Sequence, residues 1–297
     1  MLRELLRILT FISNHPLAKK NKLAAFKKFF HWQLLQTISP KPRVCTFVED
    51  SSLLIEKGMA GATGNIYCGL LEFEDMAFVL HLLRPGDLLG DVGANVGAYT
   101  VLAAKNANAN VISIEPVPAT FQHLKNNITL NKINERVNLI NCGVAAENGE
   151  LAFTKELDAV NHVAVPGETN SDNIITAKAR TLDNIFQLYK PLILKIDVEG
   201  FEHEAIKGAG QLLKSETLKA IIIELNGSGM RYGFSDIAIH DQLMNHGFLP
   251  YAYEPFTRKL RKLEVPGHLN TLYLRGVDFI RDKIKTARKF MILGQEI

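Results

Sequence analysis

The run Leu88-Leu89-Gly90-Asp91-Val92-Gly93-Ala94-Asn95-Val96-Gly97-Ala98-Tyr99-Thr100 carries the most chemical information in the sequence. An apolar strand ends in an acid, and a small-residue turn then opens a helix. Glycine lets backbone approach a ligand closely, and a helix start offers unpaired N–H donors. Such a turn suits a dinucleotide or S-adenosylmethionine alike. Two features favour the second. The spacing Gly93-x-x-x-Gly97 departs from the G-x-G-x-x-G pyrophosphate fingerprint. A carboxylate at Asp91 repels a phosphate but attracts an ammonium or a sulfonium. About twenty residues on, Val111-Ile112-Ser113-Ile114 ends at Glu115-Pro116, where a carboxylate can accept from both ribose hydroxyls of an adenosine. The bland reading of Glu115 is a solvated acid at a strand end.

A second constellation is Lys195-Ile196-Asp197-Val198-Glu199-Gly200. Ligands of open α/β sheets bind beyond the carboxyl ends of the strands, and Asp197 ends a strand there. Asp197 and Glu199 are the candidate acid–base groups, with His203 a more distant third. Each has a plainer role: Asp197 as a cofactor ligand or strand cap, Glu199 as a helix N-terminal charge, His203 as a solvent-facing helix residue. Asp197, Glu224 and Asn226 also form an oxygen set of the kind Mg²⁺ takes, although strands simply ending in polar residues explain Glu224 and Asn226 as well. Asn126, Asn127 and Asn131 read as turn and C-terminal capping residues.

The elements that must position these groups follow from periodicity. Strands are expected near Leu88–Val92, Val111–Glu115, Val137–Cys142, Leu192–Val198, Ala220–Leu225, Phe248–Tyr253 and Thr271–Arg275. Helices are expected at Ala98–Asn106, Pro118–Asn131, Phe201–Lys214 and Asp236–Asn245. This alternation is the signature of a parallel sheet with crossover helices, a doubly wound α/β fold. Gly149–Glu156 reads as an extra β segment. Leu157–Ala179 has no clear period and reads as a loop over the sheet's edge, where substrate-covering segments are often found.

Taken together, the run GDVGANVGAYT, then ISIEP-x-P-x-x-F-x-x-L-x-x-N, then Thr181-Leu182-Asp183, Leu194–Glu202, Gly208-Ala209 and Ile223-Glu224 resemble the FkbM family of methyltransferases. The similarity covers roughly Phe73 to Arg275. It implies a Rossmann-like class I methyltransferase sheet of seven strands and S-adenosyl-L-methionine as cofactor. The cofactor would be held by Asp91, Gly93, Ala94, Asn95, Gly97, Glu115, Pro116 and Asp197. It further implies O-methylation of a hydroxyl on a sugar, glycan or secondary metabolite, with the end of the Asp197 strand beside methyl group and acceptor. Gly90 departs from the pattern, since the family usually has a bulky apolar residue there, and it is expected to loosen the strand. Methyl transfer from a sulfonium is an in-line displacement, so positioning supplies much of the rate. A base for the acceptor hydroxyl, Asp197 or Glu199, adds roughly 10²- to 10⁴-fold. Mg²⁺ at the Asp197, Glu224 and Asn226 set could lower the acceptor hydroxyl's pKa.

Composition sets the outer limits. At 297 residues with 47% apolar and 22% charged residues, the chain is that of an ordinary globular protein. Its three cysteines, Cys45, Cys68 and Cys142, form no C-x-x-C pair, which argues against a disulfide framework or zinc site and for a reducing compartment. Residues 1–43 hold nine Lys/Arg against one acid, and the balance of the net +3 leaves residues 44–275 at about −7. An acidic core does not read nucleic acid, which needs a basic working face. A nucleic-acid methyltransferase and a non-catalytic cofactor-binding scaffold are the alternatives.

The domain reading is a basic helical extension over 1–43, a catalytic domain over 44–276 and a helical tail over 277–297. Leu23, Phe26, Phe30 and Leu34 interleave with lysines in the extension. They form either a cap packed on the core or a basic face for an anionic membrane. With no secretory signal or spanning segment, the expected location is the cytoplasm, peripheral to the inner membrane face if that arm docks there.

Overall fold

The structure is a computed structural model that describes residues 2–155, 161–165, 167, 171–267 and 269–297. The chain opens with α1 (Leu2–Asn14), α2 (Lys22–Ile38), a hairpin of β1 (Arg43–Thr46) and β2 (Ser52–Ile55), and helices α3 (Ala60–Cys68) and α4 (Phe73–Leu82). β3 (Leu88–Val92), α5 (Ala98–Val101), β4 (Asn110–Ile114), α6 (Pro118–Leu130) and β5 (Val137–Ile140) then alternate. A side sheet follows: β6 (Gly143–Val144), β7 (Gly149–Thr154) and β8 (Ile174–Arg180). The second half runs α7 (Leu182–Ile185), β9 (Ile193–Ile196), α8 (Glu202–Lys207), β10 (Ala220–Glu224), α9 (Asp236–Asn245), β11 (Leu249–Glu254), β12 (Lys259–Lys262) and β13 (Asn270–Leu274). Helix α10 (Val277–Lys285) and a short hairpin of β14 (Met291–Ile292) and β15 (Gln295–Glu296) end it.

The central sheet has the order β12-β11-β13-β10-β9-β3-β4-β5, eight strands rather than the seven expected. The eighth is β12, which hairpins back onto β11 with Tyr253 opposite Leu260. Its sequence, Lys-Leu-Arg-Lys, is too charged and too short to read as a strand, but such a composition suits an exposed edge. β3, β4, β5, β9 and β10 are parallel and β13 inserts antiparallel between β10 and β11.

Both faces of the parallel strands are covered, which is why they read as continuous apolar runs. Ile193, Ala220 and Ile222 face one core with α4, α5 and α10. Leu194, Ile196, Ile221 and Ile223 face the other, against α8 and α9. The two-residue period therefore puts Lys195 on the α4–α5 face of its strand.

Leu157–Ala179 is not simply a loop. β8 occupies its second half, pairing antiparallel with β7 and parallel with β6, and Val163 bridges Phe153. Residues 156–160, 166 and 168–170 lie outside the described residues. Ile174-Ile175-Thr176-Ala177-Lys178-Ala179 alternates only weakly, so its period was masked. Gly90 does not loosen β3: a Cβ there would come within 2.6 Å of both Leu194 and Phe186, whose side chains fill the space. Asn127 and Asn131 do more than end a helix. Asn127 accepts from the Leu54 N–H and donates to the Val96 carbonyl, and Asn131 exchanges both bonds with the Ser52 backbone. They fasten the β1–β2 hairpin to α6.

Candidate active site

The turn after β3 is fixed by backbone. The N–H groups of Gly93 and Ala94 both donate to the Ile114 carbonyl at 2.9 Å, stitching the turn to β4. Gly93 (φ +77°) and Gly97 (φ +92°) adopt left-handed conformations that disfavour any side chain. A Cβ on Gly93 would lie 1.8 Å from the Asp197 carbonyl oxygen, and one on Gly97 would lie 2.5 Å from Leu124. The turn therefore rests directly on the chain leaving β9.

Glu115 leaves β4 beside that turn. One carboxylate oxygen accepts from the Asn95 N–H at 3.1 Å and the other from the Val117 N–H at 3.0 Å. It is 7% exposed. Burial pushes its carboxyl up to about 7, against the pull of those two bonds. Asp91 is buried too and faces α5: the Thr100 hydroxyl donates to it at 2.5 Å, and that hydroxyl lies 2.7 Å from the Ser113 Oγ. Burial raises it to about 6.

A cleft opens over the carboxyl ends of β3, β4 and β9. Of the residues singled out from sequence, Gly93, Asn95, Glu115, Pro116, Asp197 and Glu199 line it; Asp91, Ala94 and Gly97 stand in the structure behind. Thr120, Cys142, Phe153, Asn161, Val163 and Phe201 complete much of the wall, so the side sheet supplies one side of it. Among the described residues, three carboxylates line the cavity and no Lys or Arg does. Such a wall suits a ligand carrying positive charge and opposes a pyrophosphate.

Around Asp197 the charges are arranged in a chain. Lys195, 2% exposed, donates to Asp197 Oδ2 at 3.0 Å and to Asn270 Oδ1 at 3.3 Å. Asn270 donates to Glu72 at 2.9 Å, and the Tyr99 hydroxyl donates to the other Glu72 oxygen at 2.6 Å. Burial alone would lower the Lys195 pKa, but Asp197 and Glu72 outweigh it and hold the ammonium above its ordinary value. Burial, then Asp197 and Glu202, pushes Glu199 up to about 7. Glu199 sits at φ +54°, a left-handed position immediately before Gly200.

Part of the oxygen set read from the sequence is assembled. Asp197, Glu202 and Glu224 oxygens lie within 4.8 Å of one another, while Asn226 turns back to accept from the Ser228 N–H. Two of these carboxylates are engaged through one oxygen each, while the buried Glu224 Oε2 has no hydrogen-bond partner among the described residues. Glu202 caps the turn by accepting from the Val198 N–H at 2.8 Å, and the Lys195 ammonium already occupies Asp197 Oδ2. Burial, then Asp197, raises the Glu224 pKa, so protonation relieves the crowding that a cation would otherwise relieve. His203 points elsewhere: its ring stacks on Phe234 at 4.5 Å and its Nδ1 lies 3.2 Å from Glu204.

Sequence reading missed Lys195, Glu72, Tyr99 and Asn270. Lys195 had a signal, as a lone charge inside the apolar run Leu192–Ile196. Glu72 and Asn270 are 198 residues apart, and only the fold joins them.

Comparison with known proteins finds similarity to methyltransferases. The family described as the methyltransferase FkbM domain matches residues 91–268. The hexuronic acid methyltransferase AglP of Haloferax volcanii is 30% identical over 155 residues, covering 52% of this chain and 62% of that one. The 31-O-demethyl-FK506 methyltransferase FkbM of Streptomyces tacrolimicus is 34% identical over 90 residues, 29% of this chain and 34% of that one. Each match thus spans less than two thirds of the relative. Among solved structures, the methyltransferase FkbM from Methylobacillus flagellatus aligns with a TM-score of 0.44 at 15% identity, covering 75% of this chain and 56% of that one.

Proposed function

This chain belongs to the FkbM methyltransferase family, and we propose that it is an S-adenosylmethionine-dependent O-methyltransferase acting on a hydroxyl of a sugar, glycan or secondary metabolite. The observation that carries this reading is the cavity wall. Glu115, held by the Asn95 and Val117 N–H groups, shares it with Asp197 and Glu199, and among the described residues no cationic side chain lines it.

The residues fit the methyl donor. Glu115 offers a carboxylate to the ribose hydroxyls, and Gly93, Asn95 and Pro116 line the approach to it. Asp197 meets an ammonium or sulfonium with opposite charge. Asp91 serves from behind, through Thr100 and the start of α5, rather than by touching the ligand. Ala94 and Gly97 set the turn. When bound, the donor supplies an electrophilic methyl group and a neutral thioether leaving group.

The chain's own part is to orient and to take a proton. Glu199, with its carboxyl near 7, is matched to accept a hydroxyl proton at neutral pH. Asp197 is held in place by Lys195, so we assign it electrostatic positioning and Glu199 the base. The names of the two relatives, a hexuronic acid methyltransferase and a 31-O-demethyl-FK506 methyltransferase, support a hydroxyl acceptor on a sugar or secondary metabolite. The free cysteines accord with a cytoplasmic location. Calorimetric titration with S-adenosylhomocysteine, followed by transfer of labelled methyl to a panel of glycans, tests the proposal. Binding of NAD(H) without S-adenosylhomocysteine overturns it.

A further inference from the structure

Helix α2 is apolar on two opposite sides. Ala25, Phe29, Trp32 and Gln36 are buried against the body of the protein. Leu23, Phe30, Leu34 and Ile38 recur on the far side, at 82%, 52%, 58% and 72% exposure. At 100° per residue these four fall on one stripe, with Lys27 inside it. Leu6 and Phe11 of α1 are exposed as well. A monomeric soluble protein rarely leaves so continuous an apolar stripe in water.

The charges beside the stripe say what covers it. Lys19, Lys20, Lys22, Lys27 and Lys28 are all exposed, and no Asp or Glu occurs between Leu5 and Val48. An open groove flanking the stripe is lined by Lys28, His31, Trp32 and Arg43. A second copy of this chain would bring the same positive field and repel. An anionic surface is attracted. Among the described residues no helix is long and apolar enough to cross a membrane, so the contact is one of lying on the surface.

We propose that α2 is a docking face for an anionic lipid bilayer: Leu23, Phe30, Leu34 and Ile38 enter the headgroup–acyl boundary while Lys22, Lys27 and Lys28 meet lipid phosphates. Apolar insertion and charge attraction supply the two signals that stable surface binding requires. The inference is independent of the assigned chemistry.

The full chain is tested by co-sedimentation with vesicles of phosphatidylcholine alone and with about 30% phosphatidylglycerol. Partitioning onto the anionic vesicles should be at least about tenfold stronger, and weaken steeply toward 1 M salt. Phe30→Ser/Leu34→Ser and Lys27→Glu/Lys28→Glu should each lower it by about tenfold or more, with unfolding temperature and S-adenosylhomocysteine affinity unchanged. Wild-type protein that stays in the supernatant of anionic vesicles overturns the proposal. So does a dimer by light scattering that Leu34→Ser splits, since a second copy then covers the stripe. Loss of S-adenosylhomocysteine binding with vesicle binding intact would count against the methyltransferase reading alone.

Discussion

Gly93 and Asp197 touch through backbone, so closely that a methyl group on Gly93 would lie 1.8 Å from the Asp197 carbonyl oxygen. This contact sets the ligand turn on the strand end that carries the acid–base groups. Gly93→Ala combines a strained left-handed residue with a clash against main chain that has nowhere to move. Its expected cost is about 2–5 kcal/mol, read from denaturant unfolding. A cost within 0.5 kcal/mol or so, typical of surface sites, would mean the turn is not seated there.

Lys195 is the second structural hinge of the site. Replacing it with Met leaves Asp197 and Glu72 without their buried cation, and about 3–5 kcal/mol of stability should be lost. Lys195→Met/Asp197→Asn should recover much of that, which a double-mutant cycle measures. Additive losses would show that the two side chains do not depend on each other.

How much of this was legible beforehand depended on range. The glycine turn, Glu115 and the parallel strands were legible because each is a local pattern: small residues at a turn, an acid closing an apolar run. β12 was hidden by its charged edge composition, and β8 by weak alternation. Lys195 was quoted as part of a motif yet given no role, since its partners Asn270 and Glu72 come from opposite ends of the sequence. Of the oxygen set, Asp197 and Glu224 come together with Glu202, while the Asn226 side chain accepts from the Ser228 N–H, a single local bond that no spacing rule reveals.

The raised acids have a consequence for pH. Glu115 titrates near 7 in the folded protein, above the roughly 4.3 of an unfolded glutamate. The folded state therefore holds the proton more tightly. The stability from this group is fully present below the unfolded value and is lost as pH rises through 7, about 4 kcal/mol at most. Between pH 5 and 8 the ligand-free protein should lose more stability than Glu115→Gln, by thermal melts across that range. Parallel curves for the two proteins would contradict this.

Glu199→Gln separates base from binding. Methyl transfer to the acceptor found in the glycan panel should fall roughly 10²- to 10⁴-fold, with S-adenosylhomocysteine affinity within about twofold. If Asp197→Asn alone produced that loss, and Glu199→Gln did not, the two roles would be reversed.

The central claim is that Glu115 grips the sugar of the methyl donor. Calorimetry of S-adenosylhomocysteine with wild type and Glu115→Ala tests it directly. Two hydrogen bonds to a charged acceptor, at roughly 1.5–3 kcal/mol each, predict an affinity loss of about 100-fold or more. An unchanged Kd in the folded variant would contradict the account.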